Sequence, residues 1–249
     1  MSGVMCKHLM PNQHLQRWHG TDHTEPVQAS SIDPFASAGW TGYPACRLAC
    51  WAGGDAAELT AAESQRVERL KSDVRRENLR GSLTVRRQLV GEMTGTPPEE
   101  VRFSALEDGA PVLDAPAGWC VSLSNKDSIT VVALERPPAA IGVDIERVRK
   151  LDWRAMLSMT CADAEREQIE GALSVLGDPL PAFFRMWTLK EAALKSTQQG
   201  FAADAHRVLT PAEILFAPGT GTMRAFDRTY SYWTANHADF VVSLVRRCD

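Results

Sequence analysis

The sequence predicts an α+β protein of two halves, each a few short strands beside a long helix. Strict apolar alternation at Ile141 to Glu146 marks a strand that buries one face, and Phe240 to Val245, where Phe240, Val242 and Leu244 alternate with Val241, Ser243 and Val245, reads as a closing strand. Helix-forming stretches begin after Thr60-Ala61-Ala62-Glu63 and at Pro181. Pro137-Pro138, between the halves, is the best candidate for a boundary.

The chain read in order gives each element a reason. Residues 1–44 are polar and irregular, with Pro11, Pro26, Pro34 and Pro44, and read as a flexible N-terminal extension. His8, His14, His19 and His23 fall in it with Cys6, at spacings that match no zinc pattern. The first half, residues 45–138, opens with a strand from Ala45 to Trp51. Thr60 to Glu63 has the form of a capping box, which starts a helix at Ala61. Val67, Leu70 and Val74 supply its apolar face, and the run continues to Met93, bent near Gly81, before Gly95-Thr96-Pro97-Pro98 stops it. Arg66, Arg69, Arg75, Arg76, Arg80, Arg86 and Arg87 lie in this segment. Most read as a solvated face, although guanidinium groups at that density also suit phosphate. A short strand at Val101 to Phe103 and a turn at Glu107-Asp108-Gly109 follow. Trp119 to Ser124 and Ser128 to Leu134 read as strands joined by Asn125-Lys126-Asp127.

The second half, residues 139–249, begins with Ile141-Gly142-Val143-Asp144-Ile145-Glu146. Alternation puts Ile141, Val143 and Ile145 on the core and Gly142, Asp144 and Glu146 on the opposite face. The two carboxylates are then about 6.6 Å apart along the strand. Gly142 fits a close approach by a ligand or by backbone. After Trp153 to Leu157, a polar helical stretch is expected around Ala162 to Leu176 and a helix at Pro181 to Thr197, with closing strands at 206–216 and 230–246. On the helix from Pro181, Phe184, Trp187, Glu191 and Lys195 share a stripe. Alone, Glu191 and Lys195 read as a surface pair worth roughly 0.2–0.5 kcal/mol. Asp144 and Glu146 upstream change that, because three carboxylates suit a hard cation such as Mg²⁺ with a phosphate-bearing ligand.

Composition narrows the function. The 249 residues carry a net charge of −4 with 44% hydrophobic content, so no general attraction to nucleic acid or anionic lipid is expected. No apolar run approaches the roughly 20 residues of a membrane span, and Met1 to Gly20 lacks a secretory apolar core. Six scattered cysteines without a CxxC pair point to a reducing cytoplasm. Neither a Walker loop nor a dinucleotide fingerprint is present, which argues against nucleotide hydrolases and Rossmann dehydrogenases.

Gly142-Val143-Asp144-Ile145-Glu146 and Phe183 with Trp187-Thr188-x-Lys190-Glu191-Ala192-x-x-Lys195 together resemble the signatures of the phosphopantetheinyl transferases, particularly those acting on polyketide and nonribosomal peptide carriers. Weaker echoes extend over 59–134 and 230–245. The resemblance implies a monomeric pseudo-dimer of two similar α+β subdomains with coenzyme A in the cleft between them. It implies Mg²⁺ on Asp144, Glu146 and Glu191, with Glu191 as base for the serine of an apo carrier protein and Lys195 on the phosphates. Coenzyme A contacts are implied for Lys190, Ser124 and Asn125, and because Asn125 cannot become cationic, phosphate binding is expected to rest more on Lys126 or on arginines such as Arg66, Arg69, Arg76 and Arg86. Departures from the family pattern are Asn125 in place of a histidine after Ser124, Ala110 in place of a lysine between Gly109 and Pro111, and Gln198 before Gly200. A non-catalytic relic of the same fold, binding coenzyme A or a carrier, is the reading those departures leave open.

Overall fold

The computed structural model describes residues 31–248 apart from 55, 108 and 198–203. Expectations for Cys6, the four N-terminal histidines, Asp108, Gln198 and Gly200 concern residues outside this set. The first half comprises β1 (Ala45–Cys50), α1 (Ala61–Glu68), α2 (Asp73–Thr94), β2 (Arg102–Ala105), β3 (Pro111–Ala115), β4 (Cys120–Lys126) and β5 (Ile129–Glu135). The second comprises β6 (Ile141–Arg147), α3 (Trp153–Thr160), α4 (Asp163–Ser174), α5 (Leu180–Ser196), β7 (Thr220–Ala225), β8 (Arg228–His237) and β9 (Phe240–Arg247).

Two antiparallel sheets are stacked with a helix on each outer side. The first has the order β1-β5-β4, the second β6-β9-β8-β7, and β2 and β3 form a separate ribbon. Cys46, Leu48, Val131 and Ala133 of one sheet meet Ile141, Val143, Ile145, Trp233, Val242 and Leu244 of the other in a shared core. On its far face the first sheet packs Ala49, Val121, Val132 and Leu134 against Val85, Leu89 and Val90 of α2. Leu189, Ala192 and Ala193 of α5 join Tyr232 and Val245 of the second sheet in the matching outer layer. Burying aliphatic side chains of this size stabilises by roughly 1.5–3 kcal/mol each.

Thr60 accepts from the Glu63 N–H while the Glu63 carboxylate accepts from the Thr60 N–H, the capping box that the sequence predicts. The expected single helix from 61 to 93 is instead two. Ser72 caps a second start, accepting from the Arg75 N–H, and α2 runs through Gly81 to a left-handed Gly95. Val74, assigned to the apolar face, is 70% exposed because it lies in the first turn of α2 and not on α1. Gly81 instead makes room for Trp51, whose Cγ would lie 2.2 Å from an added Cβ.

Three further expectations are corrected. The β4–β5 hairpin continues through Asn125 and Lys126 as strand, and the turn moves to Asp127 and Ser128, with Asp127 at φ 54°. Residues 206–216 form two 3-10 turns, Ala205–Arg207 and Ala212–Leu215, in place of a strand, with a Val208–Ala225 bridge to β7 and the Tyr232 hydroxyl of β8 donating to Glu213. Pro211 between them has no N–H to give a ladder. The part of the expected flexible extension from residue 31 onward packs into the fold. Phe35 is fully buried in the shared core beside Trp40 and Tyr43, and Ile32 pairs with Leu48. Aromatic area outweighs the prolines there. Among the described residues Cys46, Cys50, Cys120, Cys161 and Cys248 are free thiols, and no helix is long and apolar enough to cross a membrane.

Candidate active site

The two halves meet along β4 and β6, which run side by side in the same direction without a backbone ladder. Ser122 Oγ accepts from the Val143 N–H at 2.9 Å, and Ser124 Oγ donates to Asp144 Oδ1 at 2.7 Å. Lys126 Nζ sits 2.7 Å from Glu146 Oε2. Alternate residues of each strand therefore bridge the seam in place of sheet hydrogen bonds.

Helix α5 covers the other face of β6, and Gly142 is what allows it to come so close. A Cβ at Gly142 would lie 1.8 Å from the Ala192 carbonyl oxygen and 2.7 Å from the Ser196 nitrogen. The expected close approach is thus made by helix backbone. Lys195 spans the contact, donating to Asp144 Oδ1 at 2.7 Å and to Val143 O at 3.2 Å. Asp144 itself is 6% exposed.

Carboxylates gather here among their cations. Burial pushes the Asp144 carboxyl up, the Lys195 ammonium and Ser124 hydroxyl pull it back, and Glu146 adds to the rise. The Glu191 carboxyl is raised first by burial, then by the charge of Asp144 and further by Glu146, with Lys195 opposing. Glu191 therefore feels both strand carboxylates, as the stripe on α5 predicts. Glu146 is held by Lys126 and by Arg149 at 2.8 Å.

Seen from the sequence, the structure gathers Asp144, Glu146, Glu191, Lys195, Ser124 and Lys126 at one seam. Asn125 is exposed on β4 opposite Thr130 of β5. Lys190 is not brought there: it is 2% exposed and turned to Glu165 of α4. Adjacent helical residues point about 100° apart, so Glu191 and Lys190 cannot share a face. Arg86 is also engaged elsewhere, bonded to Glu63 of α1 and stacked over Phe103 at 4.4 Å. Burial pushes its guanidinium down to about 10, with Glu63 opposing. Arg76 bonds Leu70 O at 2.6 Å and Asp73, while Arg66 and Arg69 lie exposed on and just after α1. Sequence reasoning missed Ser122 and Arg149. The alternation Ser122-x-Ser124 was the legible signal for the first, and a cation three residues after Glu146 for the second.

Among the described residues no three His, Cys, Asp or Glu side chains stand as a ready-made metal cluster. Asp144 and Glu146 are each turned to ammonium and guanidinium partners. The donor chemistry still fits a hard divalent cation: carboxylate oxygens on alternate residues of a strand, with a third, Glu191, on the helix packed against it, whose ionisation Asp144 and Glu146 make costlier.

Residues 140–245 match the 4'-phosphopantetheinyl transferase superfamily. The 4'-phosphopantetheinyl transferase HetI of Nostoc sp. is 28% identical over 164 residues, 64% of this chain and 68% of HetI. The 4'-phosphopantetheinyl transferase gsp of Aneurinibacillus migulanus is 28% identical over 123 residues, 49% of this chain and 48% of gsp. A phosphopantetheinyl transferase of Thraustochytrium sp. is 27% identical over 180 residues, 66% of this chain and 61% of that protein. The chain thus spans between about half and two thirds of the lengths of these relatives. The matched span contains both motifs on which the family resemblance rests, and the resemblance is borne out.

Proposed function

We propose that this member of the phosphopantetheinyl transferase superfamily moves the phosphopantetheine group of coenzyme A onto a serine of an apo acyl or peptidyl carrier protein, releasing adenosine 3',5'-bisphosphate. The observation that carries it is the meeting of Asp144 and Glu146 on β6 with Glu191 on α5, beside Lys195. The two sheet-and-helix halves, 45–138 and 139–249, would be the subdomains of a monomeric pseudo-dimer, with coenzyme A at their junction in the cytoplasm.

Asp144, Glu146 and Glu191 would hold Mg²⁺, which when bound supplies positive charge against the pyrophosphate of coenzyme A. Glu191 takes the proton of the carrier serine hydroxyl. The serine oxygen then bonds to the phosphorus nearest pantetheine as the bond to the departing bisphosphate breaks. Lys195, 33% exposed at its side chain, has its ammonium at the junction and stabilises charge on the phosphate oxygens. Ser124 orients Asp144 from the other half. Asn125 has no charge to offer, and Lys126, turned the other way to Glu146 at the seam, would supply a cation to the phosphates from there.

Incubation with coenzyme A, Mg²⁺ and an apo carrier domain should raise the carrier mass by one phosphopantetheine. Asp144→Ala and Glu191→Ala should each lower transfer by about 10²–10³-fold or more while leaving a folded protein. No modification across a broad panel of carriers would reject the activity, and near-normal rates in both variants would reject the site.

A further inference from the structure

Lys190 belongs to the motif that carries Glu191, yet its ammonium lies in a closed, buried network on the opposite flank of α5. Nζ donates to Glu165 Oε2 at 2.9 Å, to Ala205 O at 3.2 Å and to Val208 O. All its donors are spent. The second oxygen of Glu165 accepts from the Thr210 N–H at 2.8 Å. The side chains of Lys190 and Glu165 are 2% and 9% exposed. The network therefore ties α4, α5 and the 204–210 segment together, and Leu209 N–H donates onward to Arg224 O of β7.

A buried ion pair is weak evidence of stability, since its desolvation cost can match its attraction. What a fully satisfied one supplies is a unique arrangement. Here the arrangement concerns the rotation of α5. On one side the helix bears on Gly142 and reaches Val143 O and Asp144 through Lys195. Lys190 grips it from the other. A rotation of about 20° would move a side-chain tip some 5–6 Å from the axis by about 2 Å. Misplacement by about 1 Å can cost 10²-fold in rate.

We propose that the Lys190–Glu165 pair is a positioning clamp that sets the rotation of α5 so that Glu191 faces Asp144 and Glu146, and that Lys190 makes no contact with phosphate. The kinetic part of this inference rests on the transfer reading above. The test compares Lys190→Met, Glu165→Gln and the double variant by kcat, by KM for coenzyme A and by urea unfolding. Each single variant should lower kcat about 10–100-fold with KM for coenzyme A within about threefold, and the double should be no worse than either single. The same non-additivity should appear in urea midpoints.

A rise of tenfold or more in KM for Lys190→Met beside a silent Glu165→Gln would make Lys190 a phosphate ligand and overturn the clamp. Additive losses in unfolding would do so too. Because a single variant leaves a buried charge and can fail to fold, the double variant, which leaves none, decides by itself. If it folds and retains wild-type kcat, the pair positions nothing. A wild-type protein that modifies no carrier would defeat the transfer reading, while the unfolding cycle would still test the pair.

Discussion

Helices α2 and α5 occupy matching places, each on the outer face of one sheet, and each depends on a glycine at its closest contact. At Gly81 the neighbour is a side chain, Trp51, half-buried and bonded to Glu77 through its indole N–H at 2.7 Å. At Gly142 the neighbour is the backbone of α5. The charges differ in the same way. Arg86 and Arg87 of α2 share the one carboxylate of Glu63 of α1, within their own half. Glu191 and Lys195 of α5 instead act on β6, next to the seam with β4. One helix keeps its buried ion pairs within its own half. The other brings Glu191 and Lys195 to the carboxylates of β6 where the halves join, the juxtaposition on which the proposed transfer rests.

The largest way to break this comparison is at the glycines. Gly142→Ala should destabilise by more than about 3 kcal/mol and remove transfer, because helix backbone in a packed layer cannot yield to a methyl group. Gly81→Ala should cost less than about 2 kcal/mol, since Trp51 can swing outward and alanine favours the helix by about 1 kcal/mol. Urea midpoints of the two proteins check this directly. Equal losses would mean that Trp51 is as immovable as α5.

That contrast also marks what was legible in the sequence. Period two at Ile141 to Glu146 assigned both faces of β6, and the capping box fixed the start of α1, because both are local patterns with one physical solution. Glu191 and Lys195 were legible because they lie one turn apart on one stripe. The break at Ser72 was not, since the apolar spacing ran on across it. The fates of Arg86 and Lys190 were hidden as well. Their partners, Glu63 and Glu165, lie 23 and 25 residues away and are set by tertiary packing, so density of charge alone could not tell a bound guanidinium from a free one. The seam from Ser122 and Ser124 to β6 was hidden because neither residue advertises a partner on another strand.

A smaller effect sharpens the first-half side. Glu63 joins α1 to α2 through Arg86 and Arg87, with side chains only 12%, 14% and 5% exposed. Glu63→Gln keeps the shape but removes the charge, leaving two guanidinium groups without their counter-ion. It should cost about 2–3 kcal/mol, somewhat below the loss expected when one partner of a buried pair is deleted outright. KM for coenzyme A should stay within about threefold of wild type, because Arg86 is engaged on Glu63. A large change in KM with little change in unfolding would return Arg86 to the ligand site.

The smallest effect, and the most discriminating, is one of sign. Burial opposes ionisation of Glu63, but the Thr60 N–H, Arg87 and Arg86 outweigh it and hold the carboxyl below its ordinary value. Its folded pKa being depressed, its contribution is present above the unfolded value of about 4.3 and is lost as pH falls through the folded one. Glu191 is the reverse. Burial and the charge of Asp144 raise its folded pKa, so its contribution is fully present below the unfolded value and is lost as pH rises through the raised one. Without divalent metal, Glu191→Gln should therefore stabilise the protein at pH 7, by about 0.5–2 kcal/mol, the range seen when a strained functional site is relaxed. The gain should vanish near pH 4, where the glutamate is itself neutral. Thermal unfolding in chelator from pH 4 to 7 would then show Glu191→Gln above wild type with a gap that closes toward pH 4, and Glu63→Gln below it with a gap that closes only in stronger acid. A Glu191→Gln protein less stable than wild type at pH 7 would mean that the glutamate holds structure in place, and that burying its charge beside Asp144 is not what distinguishes α5 from α2.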